Sequence, residues 1–211
     1  MLNEVEKRIL SSLILIPIAI FFIIQGSIFF IFFLIILYFV TSYEWFKMSK
    51  NFSLLQFAGI ILLSFSFYST YTIREEGFEF FLFIVTICIF TDIGGYMFGK
   101  IFKGPKLGFI SPNKTYSGVV GSFIMSFISA LIFIKYFEIV LIFNTDNLFL
   151  FLIILFISFI SQIGDLIISF FKRKAKLKDT GKILPGHGGL LDRIDGLIFV
   201  MPVIYFLLLL K

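Results

Sequence analysis

Apolar runs long enough to cross a membrane follow one another along almost the whole of this 211-residue chain. A helix crossing the hydrocarbon core of a bilayer needs about 20 predominantly apolar residues. Such runs lie near 9–25, 28–46, 53–73, 78–99, 116–137, 148–171 and 194–210. The expected fold is therefore all-α, a polytopic transmembrane bundle of about seven spans. The first two runs are separated only by Gln25-Gly26-Ser27, which suits a tight hairpin. The last run is short and its start is poorly marked. The N-terminal MLNEVEKRIL leads into an apolar stretch longer than a signal peptide's, with no small-x-small cleavage site, and reads as a retained first span. With no repeat and no long linker, residues 1–211 read as one integral-membrane domain. Residues 9–89 supply generic spans and 90–211 the half that carries chemistry.

Composition agrees. Hydrophobic residues make up 59% of the chain, against roughly 45–50% in soluble proteins. The single cysteine, Cys88, lies inside an apolar run, which excludes a disulfide framework and a cysteine-based metal site and makes it a small core residue. The net charge of +5 does not point to nucleic acid, because the basic residues cluster in loops between apolar runs, close to lipid headgroups and nucleotides. With the N-terminus inside, only Arg74, Lys135 and Lys211 of the 18 Lys and Arg fall outside. This asymmetry favours an N-in, C-out arrangement. Both long polar loops, 100–115 and 172–193, then face the cytoplasm.

Three groups of residues are candidates for chemistry. On the sixth span, Ser158, Ser161, Gln162, Asp165, Ser169, Lys172 and Arg173 fall within an arc of roughly 120° at helical spacing. A carboxylate in lipid costs about 2.5–3.5 kcal/mol on insertion scales, so Asp165 should face the bundle interior or a wet cavity. The stripe serves either as a polar packing seam or as the wall of a cavity that opens at Lys172 and Arg173. The second group is the loop that follows. From charge alone its lysines, Lys178 included, are an ordinary positive-inside flank. Gly186-His187-Gly188-Gly189 adds a flexible backbone able to bring several N–H groups to an anion. Asp192 and Asp195 share a face of a starting helix and could join Asp165 around a hard cation, since Mg²⁺ takes one or two carboxylates plus phosphate oxygens. Arg193 between them suits a phosphate. The third group is the exit of the fourth span. Asp92 is a further intramembrane carboxylate, and Gly95 and Gly99 form a small-residue packing surface. The turn Ser111-Pro112-Asn113-Lys114-Thr115 either sets topology or presents Lys114 to a phosphate. Glu44-Trp45 reads as an interface marker, and Glu75, Glu76 and Glu79 as a solvated external loop.

Residues 169–195 resemble the signature of the phosphatidate cytidylyltransferases (CDP-diacylglycerol synthases). The matching positions are Ser169, Lys172-Arg173, Lys178-Asp179, His187-Gly188-Gly189 and Asp192-Arg193-Ile194-Asp195. The likeness extends upstream to Asp165, to the helix from Thr91-Asp92 to Gly99 and to the 111–115 turn. The resemblance implies transfer of the cytidylyl group of CTP to phosphatidate at the cytoplasmic face, with divalent metal, Mg²⁺ singly or in a pair, and often as a homodimer. It implies that Asp165 and Asp192 hold metal with support from Asp195. Lys172, Arg173, Lys178 and Arg193 would bind the phosphates of the two substrates. Ser169, Asp179, His187, Gly188, Gly189, Lys114 and Asp92 would line the substrate site. Two rival expectations are a CTP-dependent polyprenol or phytol kinase and a small cation-coupled transporter using Asp92 and Asp165.

Overall fold

The computed structural model describes residues 4–50, 53–108, 111, 114–137, 147–184, 186 and 188–210. Among these it forms seven helices: α1 (Glu4–Gln25), α2 (Ser27–Met48), α3 (Ser53–Glu76), α4 (Phe78–Phe102), α5 (Tyr116–Phe137), α6 (Asn147–Lys174) and α7 (Leu191–Leu209). Every expected apolar run lies in one of them. Helices α2 to α6 are long and apolar enough to cross a membrane. The apolar part of α1, Leu10–Gln25, is shorter, and α7 opens on Asp192, Arg193 and Asp195. The protein is an integral-membrane helical bundle.

Two short turns set the first half. Gly26 has φ +63, and the Phe22 and Phe33 rings stack at 5.2 Å across it, closing α1 and α2 into the expected hairpin. Arg74 at the end of α3 donates to the carbonyls of Ile23 and Ile24, satisfying acceptors that the end of α1 leaves open. The external loop expected around Glu75, Glu76 and Glu79 shrinks to Gly77: Glu75 and Glu76 complete α3, Glu79 begins α4, and Glu75 pairs with Arg74 at 2.7 Å.

The core lies where α4, α6 and α7 meet. Phe83, Ile84 and Ile87 pack with Ile154, Ile157, Met201 and Ile204, and Cys88 is buried beside them as expected. A smaller cluster of Trp45, Met48, Leu63, Ile168, Leu191 and Ile198 sits nearer the loops. Helices α4 and α5 make the closest approach. A Cβ on Gly94 would come within 2.4 Å of the Gly121 carbonyl, and one on Gly118 within 2.8 Å of the Gly95 carbonyl. With little hydrophobic drive between helices in lipid, small residues let backbones gain dispersion contact. Much of the outer surface of the bundle is exposed Leu, Ile and Phe, as lipid-facing walls require.

Candidate active site

Helix α6 ends in a turn that starts the polar loop. Leu177 N–H bonds the Lys172 carbonyl at 2.8 Å, and Lys176 N–H the Arg173 carbonyl at 3.0 Å. This is a Schellman arrangement, with Lys176 at φ +57 in the place usually held by glycine. The chain then doubles back through a Leu184–Gly188 bridge before α7.

Two carboxylates hold that loop down. Glu44, 1% exposed on α2, accepts from Thr180 Oγ1 at 3.0 Å, Leu190 N–H at 3.1 Å and Leu191 N–H at 2.8 Å. The last two are donors that the start of α7 leaves without helical partners, and a negative charge is favourable there. Asp192 Oδ2 accepts from Thr180 N–H at 2.8 Å and Gly189 N–H at 3.1 Å, and at 3.1 Å it shares with Glu44 the single proton of the Thr180 hydroxyl. Its Oδ1 meets Lys172 Nζ at 2.7 Å. Glycine is required at 189 for space: a Cβ there would lie 2.0 Å from Thr180 Oγ1 and 2.7 Å from Glu44 Oε2.

The second loop is tied to the first through α6. Lys106 and Thr115 bridge, Leu107 N–H bonds the Lys114 carbonyl at 2.9 Å, and Thr115 Oγ1 accepts from Gly118 N–H at the start of α5. This bend directs Lys114 Nζ onto Asp165 Oδ2 at 2.5 Å. Ser169 Oγ donates to the other oxygen of Asp165 at 3.2 Å. Asp92 on α4 lies within electrostatic reach of Asp165, Lys114 and Arg193. Asp195, 6% exposed, faces both Asp165 and Asp92 and accepts Gly196 N–H at 2.9 Å. Three neighbouring carboxylates, Asp92, Asp165 and Asp195, are thus offset by Lys114 and Arg193, and Lys172 joins this group to Asp192.

The structure therefore gathers Asp92, Lys114, Asp165, Ser169, Lys172, Asp192, Arg193 and Asp195, contributed by α4, α6, α7 and the 103–115 bend. Gly188 and Gly189 border the cluster: a Cβ on Gly188 would stand 3.3 Å from Asp192 Oδ2 and 3.1 Å from Asp179 Cβ. Arg173, exposed at the end of α6, donates to the Leu177 carbonyl of the following turn at 3.3 Å. Lys178 and Asp179 are exposed on the loop. His187, Pro112 and Asn113 lie outside the described residues. Glu44, read from sequence as an interface marker, is a buried anchor of the site instead. The available signal was its position inside an apolar run, the same signal that singled out Asp92 and Asp165. Among the described residues no three His, Cys, Asp or Glu side chains form a ready metal cage.

A helical bundle of apolar spans with an ion-paired polar cluster at one end defines an integral-membrane protein with a charged candidate site. The chain belongs to the cytidylyltransferase family, whose sequence profile matches residues 49–210. It is 40% identical over 152 residues to a phosphatidate cytidylyltransferase of Staphylococcus saprophyticus, covering 72% of this chain and 57% of that one. To the phosphatidate cytidylyltransferase of Staphylococcus haemolyticus it is 37% identical, covering 84% and 66% respectively. The chain thus spans less than two thirds of these staphylococcal proteins. It spans 92% of a phosphatidate cytidylyltransferase of Rickettsia felis, at 33% identity over 97% of its own length.

Proposed function

We propose that this protein transfers the cytidylyl group of CTP to phosphatidate, releasing pyrophosphate and giving CDP-diacylglycerol for phospholipid synthesis. The observation that carries the reading is the pair of oriented lysines, Lys172 on Asp192 and Lys114 on Asp165, among clustered carboxylates in a membrane bundle of this family. A phosphate oxygen of phosphatidate attacks the α-phosphorus of CTP. The new P–O bond forms as the bond to the β-phosphate breaks, and pyrophosphate leaves with that electron pair. A phosphate monoester carries about −1.5 to −2 charges at neutral pH. The nucleophile is therefore already ionised, and the main task is to bring two anions together. Lys114, Lys172 and Arg193 would serve that task, and the ion pairs at Lys114 and Lys172 would keep both ammonium groups oriented before substrate arrives. Lys178 and His187 complete the expected phosphate contacts from the loop, with exposed Arg173 at the end of α6.

Asp165, Asp92 and Asp195 interact electrostatically across α6, α4 and α7, and Mg²⁺ takes one or two carboxylates and completes its shell with phosphate oxygens and water; to bind it, Asp165 would exchange the Lys114 ammonium for the ion. Asp165 and Asp195 would hold it, and once bound it would neutralise charge on the triphosphate. For Asp192 to serve as a further ligand, as the signature suggests, it would have to release Lys172 or part of the loop. The distribution of Lys and Arg supports seven spans, N-in and C-out, with the site at the cytoplasmic face of the inner membrane.

The test is pyrophosphate release by purified protein in detergent, with CTP, phosphatidate and Mg²⁺ each omitted in turn. Release that needs all three, with CDP-diacylglycerol as lipid product, is expected. CDP together with a phosphorylated lipid alcohol would overturn the reading in favour of a lipid kinase.

A further inference from the structure

A cavity of about 480 Å³ lies between α1, α2, α3, α4 and α7, beside the charged cluster. It falls within the roughly 300–1,000 Å³ of small-molecule sites. Its wall is almost wholly aliphatic and aromatic, with a few hydroxyls, and Arg193 is the charged residue on it. Arg193, Leu197 and Met201 follow one another at four-residue spacing along α7, so they form one stripe on a helix face. At about 1.5 Å per residue the stripe runs roughly 12 Å from the loop end into the bundle. Leu37 and Phe30 line the cavity from α2, and Phe67 from α3. The space is thus elongated, cationic at the loop end and apolar beyond.

That shape fits an alkyl chain with an anion at its head. Arg193 also lies within electrostatic reach of Asp92, so it belongs to the wall of the cavity and to the charged cluster at once. We propose that this cavity holds one acyl chain of the phosphatidate substrate, with Arg193 at the junction between the chain and the reacting phosphate. The assignment rests on the cytidylyltransferase reading above. A monoester headgroup brings more negative charge to this junction than the phosphodiester of an ordinary bilayer lipid. Its chain would enter the cavity only when its phosphate reaches the cluster. Burying methylenes here supplies binding energy remote from the reacting centre, which can be used to hold the phosphate in place.

Two measurements on the full chain test this. The first is photocrosslinking of wild-type protein in nanodiscs with phosphatidate carrying a diazirine near the end of one acyl chain. Adducts are expected at Leu197, Met201, Leu37 or Phe67, lost on competition with unlabelled phosphatidate but not with phosphatidylglycerol. The second is Leu197→Trp, which fills part of the cavity. The ratio of kcat/KM for dioleoyl over dioctanoyl phosphatidate should fall at least tenfold. Adducts confined to the outer faces of the helices, in protein that turns over phosphatidate, would overturn the cavity assignment and leave the reaction standing. Adducts competed equally by phosphatidylglycerol would make this a structural-lipid site and overturn the substrate assignment. Turnover of neither phosphatidate by wild-type protein would refute the reaction itself.

Discussion

Replacing Glu44 with Gln tests whether the polar loop is held from α2. The carboxylate accepts three hydrogen bonds: Leu190 N–H on one oxygen, and Leu191 N–H and Thr180 Oγ1 on the other. Glutamine keeps a single oxygen. Its best placement retains Leu191 and Thr180 and turns the amide NH₂ toward Leu190 N–H, donor against donor. A hydrogen bond to a charged group contributes about 1.5–3 kcal/mol. Loss of the negative charge at the start of α7 adds about 0.3–1 kcal/mol. Together the change should weaken loop anchoring by about 2–4 kcal/mol, or about 30- to 700-fold in the opening equilibrium. Hydrogen exchange in nanodiscs reads this directly, because protection of the Leu190 and Leu191 amides reports local opening. Protection should fall by that factor in Glu44→Gln, while amides of the α4, α6 and α7 core keep theirs. Protection of Leu190 and Leu191 within threefold of wild type would refute the anchoring argument.

Asp192→Asn can keep the three donors on one oxygen but then turns its NH₂ toward Lys172, freeing that ammonium; pyrophosphate release should fall more than 100-fold while size-exclusion behaviour and helicity are retained. Lys114→Gln leaves Asp165 without its cation and should cut turnover at least tenfold, read as kcat/KM for both substrates in the same assay. Gly94→Val drives a side chain against the Gly121 carbonyl and should destabilise the α4–α5 pair by about 1–3 kcal/mol, seen as a lowered Tm in detergent. Chelation by EDTA should stop turnover, and added Mg²⁺ should restore it.

The helices were legible because each apolar run is long enough to exclude other spanning structures. The face of α6 that carries Asp165, Ser169 and Lys172 was also legible, since helical periodicity places those residues whatever the rest of the chain does. Gly95 and Gly99 do face α5, meeting Ser122 and Thr115, but the closest backbone approach is at Gly94 and Gly121, which the spacing did not single out. What pairs with what did not follow. Lys114 reaches Asp165 only through the bend from 103 to 115, and Lys172 reaches Asp192 only through the crossing of α6 and α7. Glu44 was the least legible of all. Trp45 beside it suggested a membrane interface, and its partners lie 136 to 147 residues further along the chain. No local pattern encodes a contact over that distance.

That distance also bears on the order in which the protein is made. A ribosome releases the chain from its N-terminus at about 5–20 residues per second, so α2 is delivered long before Thr180, Leu190 and Leu191 exist. Until they arrive, Glu44 remains a carboxylate in an apolar helix without the donors that satisfy it, and α2 lacks a reason to sit at its final depth. Docking of Thr180, Leu190 and Leu191 against Glu44 supplies those donors and caps α7 in the same step. The charged cluster and the seating of an early helix are thus completed by one late event, and a chain stopped before residue 190 would lack both.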